Sequence, residues 1–426
     1  MQDCIHPRPP KADQPGLLQT DLMMAPDFQS RTTLLNHIRH TKQFYDARCV
    51  DPSGGLYHFY KDDGSIYDAH TRHLVSSTRF VFNYAMAWRR FGDEQDRQRL
   101  RHALSFLRSA HRNPKTGGYA WVLDWRDGQG RVVDGTNHCY GLAFVLLAYS
   151  HALMAGETEA GAWIAETFAL MEQRFWEPQH GLYADEASAD WSHLDPYRGQ
   201  NANMHACEAL ITAFEATGER AYLLRAETLA RNITIRQAAL ADNMVWEHYH
   251  ADWSVDTEYN RDDKSNIFRP WGYQPGHLTE WAKLLLILER HGAHLEHGTG
   301  WLLPRAIELF DAALDKAWDH QHGGIYYGFA PDDSICDDLK YFWVQAESLA
   351  TAALLAARTG EQRYWTWYDK IWAYSWEHFV DHTYGAWYRI LGTDNSKLTD
   401  EKSPAGKTDY HTMGACYEVL NVLTKD

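Results

Sequence analysis

The sequence predicts an all-α chain of six outer–inner helix pairs, joined by short β-hairpins and closed into one ring, an (α/α)6 barrel. Three observations carry the prediction. First, a short glycine-aromatic motif recurs: Gly54-Gly55-Leu56-Tyr57, Gly117-Gly118-Tyr119-Ala120, His180-Gly181-Leu182-Tyr183, Gly323-Gly324-Ile325-Tyr326 and Tyr384-Gly385-Ala386-Trp387, with a degenerate copy, Asn243-Met244-Val245-Trp246. The copies start at intervals of 63, 63, 63, 80 and 61 residues. Second, apolar residues at helical spacing precede the copies. Third, a helix richer in small and apolar residues follows them. A helix that is apolar nearly all round is buried on every side and belongs inside; one with a face of Arg, Glu and Gln belongs outside.

Taken in order, residues 1–27 hold Pro7, Pro9, Pro10, Pro15 and Pro26 and read as a leader, with a single domain over 28–426. The first outer helix is expected over 30–48, and the β-prone run 56–60 forms the first hairpin. The first inner helix then carries Arg79. Leu100, Leu104 and Leu107 mark the next outer helix, and Tyr140–Ala152 the inner helix after it. Trp163, Phe168, Leu170 and Phe175 mark the third outer helix, followed by inner helix Ala202–Ala216. The long interval accommodates an insertion at 250–272, a loop placed to cover the mouth of the ring, before inner helix Leu278–Leu288. Ile307, Leu314 and Trp318 mark another outer helix, and 325–327 a further strand. Ala346–Ala357 and a last helix over 409–424, with its apolar core at Met413–Leu423, complete the inner set. The glycines supply the tight turns. One half of such a ring could not bury its inner helices alone, so the whole is one domain.

Composition removes several classes of function. With 41 Lys and Arg against 57 Asp and Glu, the net charge of −16 argues against nucleic acid. No apolar run has the length of a membrane span, and the first 30 residues lack the apolar core of a secretory signal, so a cytoplasmic protein, monomeric or homodimeric, is expected. The six cysteines show no zinc spacing and read as free thiols of a reducing compartment. The 18 Trp, 24 Tyr and 16 Phe exceed ordinary usage, and aromatic faces stack on sugar rings.

Inner helices that run the same way bring their N-termini to one mouth, where polar residues distant in sequence converge. These are Arg79; Asp134, Asn137, His138 and Tyr140; Asn201, His205 and Glu208; His277 and Glu280; Trp343, Gln345 and Glu347; and His411. Buried ionisable groups are costly unless paired or used. The set suits reversible proton transfer at a carbon beside a carbonyl, with histidine as the base and Arg or Tyr holding the oxygen that gains charge. No phosphate loop, dinucleotide fingerprint or serine-nucleophile motif is present, so no cofactor is expected. The pairs His205/Glu208 and His277/Glu280 share helix faces at i, i+3, a spacing that dimetal carboxylate sites also use. There is no HExxH, and Glu247-His248-Tyr249-His250 falls in a strand-like hairpin, so no metal is expected. An inverting glycoside hydrolase drawing on Asp134, Glu208, Glu280 and Glu347 is a rival reading, and a non-catalytic sugar-binding protein is another.

Four segments carry a family resemblance: Ser77-Thr78-Arg79-Phe80, Asn201-Ala202-Asn203-Met204-His205-Ala206-Cys207-Glu208-Ala209, Gln274-Pro275-Gly276-His277-Leu278-Thr279-Glu280-Trp281 and Lys407-Thr408-Asp409-Tyr410-His411. Over roughly residues 30–424 the chain resembles the N-acylglucosamine 2-epimerase superfamily, and within it the branch of isomerases acting on mannose and sulfoquinovose. The resemblance implies an (α/α)6 barrel, no catalytic metal and a monosaccharide substrate. It implies that His411 moves a proton between C1 and C2 through a cis-enediol. His277, oriented by Glu280, would open the pyranose ring. Arg79 would stabilise the enediolate, and Tyr140, Asn201, His205 and Trp343 would bind the sugar, with Glu208 and Glu347 against it or behind it. D-Mannose and D-fructose are the implied pair, D-lyxose and D-xylulose a second. A 2-epimerase of N-acylglucosamine or cellobiose would use the same histidines.

Overall fold

A computed structural model describes residues 26–423 except 264, 265, 267 and 268; the expected leader lies outside the described residues but for Pro26 and Asp27. Among the described residues twelve α-helices follow one another: α1 (Arg31–Asp46), α2 (Leu74–Phe91), α3 (Glu94–Phe106), α4 (Cys139–Met154), α5 (Ala160–Arg174), α6 (Gln200–Thr217), α7 (Arg220–Arg231), α8 (Pro275–Arg290), α9 (Leu302–Ala317), α10 (Phe342–Thr359), α11 (Gln362–His378) and α12 (Tyr410–Val422). The chain is mostly helical. The even-numbered helices are the apolar ones: α4 is buried from Cys139 to Ala152 except at Tyr140, and α8 from Pro275 to Leu288. The odd-numbered helices bury one face, as α9 does with Leu302, Ala306, Leu309, Phe310, Ala313 and Leu314.

Each even helix packs against the next even helix, and α12 returns to α2. Each odd helix packs on the even helix before it, and α1 packs on α12. The packed partners α2/α3, α6/α7 and α10/α11 are joined by tight turns and α4/α5 and α8/α9 by longer links, while the hairpins, expected to join packed partners, instead step to the neighbouring pair. Gly92, Gly218 and Gly360 cap α2, α6 and α10 in the left-handed conformation that ends a helix cheaply only at glycine. Closure between first and last helix is polar. Arg31 donates to the carbonyls of Leu420 (2.5 Å) and Leu423 (3.1 Å), and the Tyr45 hydroxyl donates to Asp409 at 2.5 Å.

The glycine-aromatic motif builds one repeated hairpin. After an odd helix, Val50, Arg112, Trp318 and Val380 bridge Leu56, Tyr119, Ile325 and Trp387, and Trp176–Glu177 pairs with Leu182–Tyr183. Gly324 sits at φ +82°, and a Cβ there would lie 2.4 Å from the Tyr374 ring, so the position takes no other residue without displacing that ring. The degenerate fourth copy makes its turn with Asp242 (φ 51°) and Asn243 (φ 57°), the residue types that best tolerate left-handed backbone. A side chain from the following even helix clamps the hairpin. Asn137, just ahead of α4, accepts from Tyr119 N, Asn203 accepts from Tyr183 N at 2.8 Å, and Gln345 accepts from Ile325 N at 3.0 Å. Asn137 and Gln345, expected at the mouth as chemistry, are thus spent on the scaffold. Asp134 ends a β-ribbon, Val122–Arg126 with Gln129–Asp134, that the repeat did not foretell. Cys49, Cys139, Cys207 and Cys416 are buried free thiols. Among the described residues no helix is long and apolar enough to cross a membrane.

Candidate active site

The N-termini of the even helices surround a cavity of about 110 Å³. Arg79, Tyr140, Asn201, His205, His277, Glu280, Trp343 and His411 all reach its wall. Glu208 and Glu347, expected against the substrate or behind it, line a second cavity beneath, which shares His411 with the first. His138 is turned aside to Glu186, 3.1 Å away.

His277 enters on the first turn of α8, behind Pro275, whose fixed φ suits that position. Its Nδ1 faces both carboxylate oxygens of Glu247, at 2.9 and 3.0 Å. Gln200 braces that carboxylate: its amide donates to Glu247 at 2.9 Å and its carbonyl accepts from Trp281 at 2.7 Å. A ring whose Nδ1–H is given to a carboxylate presents Nε2 to the cavity. The expectation that Glu280 orients His277 is therefore corrected: Glu247, thirty residues upstream in the segment set aside as a hairpin, does so.

Glu280 is left with another part. It is buried, and neither carboxylate oxygen has a hydrogen-bond partner. Burial, reinforced by the nearby Glu347 charge, drives its pKa well above the ordinary carboxylate value against the pull of Lys283. Its carboxyl is aimed at the cavity, and burial favours its protonated form.

His411 opens α12 after two left-handed residues, Thr408 (φ 43°) and Asp409 (φ 53°). A β-branched residue in that region is strained, and such strain persists only where neighbours hold it. Here they do: Asn83 donates to the Thr408 carbonyl at 2.7 Å, and Lys407 (2.7 Å) and Tyr45 (2.5 Å) bind the Asp409 carboxylate. His411 Nδ1 lies 2.6 Å from Glu347, whose other oxygen is bound by Lys283. Burial brings the His411 pKa down to about 4, so the ring is neutral at pH 7. The Trp343 ring lies 5.1 Å from His277 and 5.7 Å from His411, a flat apolar wall shared by both.

Arg79 reaches across from α2. It donates to the Gly406 carbonyl and, at 3.3 Å, to the Tyr140 hydroxyl, and it lies over the Phe144 and Tyr410 rings at 4.5 and 4.8 Å. Its Nε has no partner, and neither has Oδ1 of Asn201. His205 Nδ1 lies 3.1 Å from Glu208, which also accepts from Tyr410 at 2.5 Å. Burial works to raise the Glu208 pKa, but His205, Lys283 and Tyr410 hold it well below the ordinary value. Burial lowers the pKa of His205 itself. Two groups bring donor atoms within 4.8 Å of one another, as a metal would require: His205, Glu208 and Glu280, and Glu280, Glu347 and His411. The Lys283 ammonium, bound to Glu347, competes with a cation there.

Several wall residues were missed from sequence: Pro270, Tyr327, Tyr341, Phe342, Arg389 and the stretch 404–407. Pro270 closes the insertion that was expected over the mouth. Phe342 adjoins Trp343, and Lys407 opens the segment that carries His411, so both lay next to readable signals.

Residues 55–415 match the model of the N-acylglucosamine 2-epimerase family. A D-mannose isomerase of Marinomonas mediterranea is 54% identical over 403 residues, 94% of this chain and all of that one. A D-mannose isomerase of Thermobifida fusca is 38% identical over 68% of this chain and 70% of its own length. A crystal structure of a D-mannose isomerase, 54% identical, superimposes with a TM-score of 0.90 over 93% of this chain and 100% of its own.

Proposed function

Since the chain belongs to the N-acylglucosamine 2-epimerase family, we propose that it is an aldose–ketose isomerase interconverting D-mannose and D-fructose, with D-lyxose and D-xylulose as a second pair. One observation carries the mechanism: two imidazoles, each tied to a glutamate by Nδ1, border one cavity across a shared tryptophan. His277, backed by Glu247, exchanges a hydroxyl proton to open the pyranose. His411 takes the C2 proton of the open-chain aldose on Nε2 and returns it to C1 of the cis-enediol. Arg79 and Tyr140 stabilise the oxygen that becomes negative. Glu280, whose oxygens have no other partner, hydrogen-bonds a sugar hydroxyl. Asn201 Oδ1 accepts from another, and Trp343 faces the C–H side of the ring. His205 completes the polar wall.

The ring of packed even helices supports reading the fold as an (α/α)6 barrel and residues 28–426 as one domain. The cavity also speaks against hydrolysis. Among the described residues Glu280 is the single carboxylate on its wall, whereas inversion of a glycoside needs two, about 6.5–9.5 Å apart. The test is product identity after incubation, with EDTA present, with D-mannose, D-fructose, N-acetylmannosamine and cellobiose. Fructose from mannose is expected. Glucose from mannose, or an epimer of cellobiose alone, would establish epimerisation instead. Turnover that EDTA removes and a divalent metal restores would place a cation in the His/Glu clusters.

A further inference from the structure

Lys283 lies one turn beneath Glu280 on α8, in a run otherwise apolar from Ala282 to Leu288. Its side chain is 8% exposed and that of Glu347, which it binds, is 2% exposed. It borders the lower cavity but not the upper one, so it does not reach the sugar. A lysine so placed costs desolvation and is kept only where carboxylates repay it. Burial alone would lower its pKa, but Glu347, Glu280 and Glu208 raise it well above the ordinary value, so it is a fixed positive charge. Behind His411 the order is therefore imidazole, carboxylate, ammonium, without interruption. Behind His277 the corresponding carboxylate meets the neutral amide of Gln200.

We propose that Lys283 is a positioning residue for proton transfer: its ammonium keeps Glu347 ionised, so that Glu347 fixes the His411 ring by Nδ1–H and leaves Nε2 unprotonated toward the substrate. This rests on His411 as the base. Without the ammonium, Glu347 and His411 together take up a proton more readily, and either site of uptake spoils the base: a protonated Glu347 no longer holds the ring as an anion, and an imidazolium cannot accept from carbon. The other titratable groups that face this pair change the sign of nothing. Arg79 on α2 repels an added proton, Glu208 on α6 is engaged by His205 and Tyr410, and burial works against a charge on Glu280.

The test compares Lys283→Met and Lys283→Arg with the parent in kcat and KM against pH. A second readout follows the His411 ring by 15N NMR, without turnover. In Lys283→Met the acid limb of kcat and the ring titration should both move up by about one to three pH units, the effect of one neighbouring charge. KM should stay within about twofold because Lys283 misses the sugar. Lys283→Arg should restore most of the parent profile. A Met variant with the parent profile overturns the proposal, as does an equal, pH-independent loss in both variants, which marks a packing role. Should the Met variant not fold, a shifted acid limb in the charge-preserving Arg variant overturns it. If instead His411→Ala stays active while the ring still titrates higher in Lys283→Met, the base assignment fails and the electrostatic link stands.

Discussion

The two histidines carry the same partner on the same nitrogen, yet their surroundings differ. Glu247 receives His277 through both oxygens, at 2.9 and 3.0 Å, and leans on a neutral row of Gln200 and Trp281. Glu347 receives His411 at 2.6 Å through one oxygen and gives the other to an ammonium. The backbone differs as well: His277 stands on an ordinary helix start behind a proline, His411 on two left-handed residues pinned from three sides. The lesson is that a histidine–glutamate pair acquires its task from the next layer. A fixed cation behind the carboxylate suits a base that must remain neutral until it meets carbon. A neutral amide suits a pair that passes a hydroxyl proton both ways.

The comparison can be broken by removing each ring. His411→Ala should lower kcat/KM by about 10²–10⁴-fold, the range of a lost general base. His277→Ala should lose less, about 10²-fold, because ring opening also proceeds in water. Equal, small losses in both would erase the division of labour.

The carboxylates sharpen it. Glu247→Gln keeps the size but not the charge behind His277, and should cost kcat roughly 10²-fold, less than the ~10⁴-fold seen when a protease triad loses its carboxylate charge. Steady-state kinetics that leave kcat unchanged would return the orienting role to Glu280.

Acidification acts on the whole fold. Burial holds His37 and His73 near pKa 3 and His111, His151 and His411 near 4, against 6.5 in the open. These rings are neutral when folded and protonate first in the unfolded chain. Their contribution to stability is whole above about pH 6.5 and is lost as pH falls toward 4 and 3. Thermal melts should show Tm dropping through that window; a Tm that rises there contradicts the burial of these rings.

The smallest effect is expected away from both pairs. Asn203→Ala removes a clamp on the third hairpin and should cost about 1–3 kcal/mol in denaturant unfolding while KM stays put.

The helices themselves were legible because the motif recurs with one period and because buried helices are apolar all round; their pairing was not, since the hairpins were expected to join packed partners and instead step from one pair to the next. The observed ends fall within a few residues of those expected: Arg31–Asp46 against 30–48, and Tyr410–Val422 against 409–424. The convergence of Arg79, Tyr140, Asn201, His205, His277, Glu280, Trp343 and His411 on one cavity followed from helices running the same way. Pairings between helices were not legible. Spacing along α8 favours His277 with Glu280, but rotamers, which spacing does not encode, turn His277 to Glu247. Lys283 was overlooked because it stands among apolar neighbours. Its signal, a lone cation in an inner helix, is visible once one asks which carboxylate must answer it.

The most direct measurement follows D-mannose and the protein in D2O by NMR. D-Fructose carrying deuterium at C1 and nowhere else is the result expected of His411 as a base that serves only the first two carbons. Fructose that gains no solvent deuterium over many turnovers, or deuterium at any other carbon, would contradict a shared imidazole base at C1 and C2.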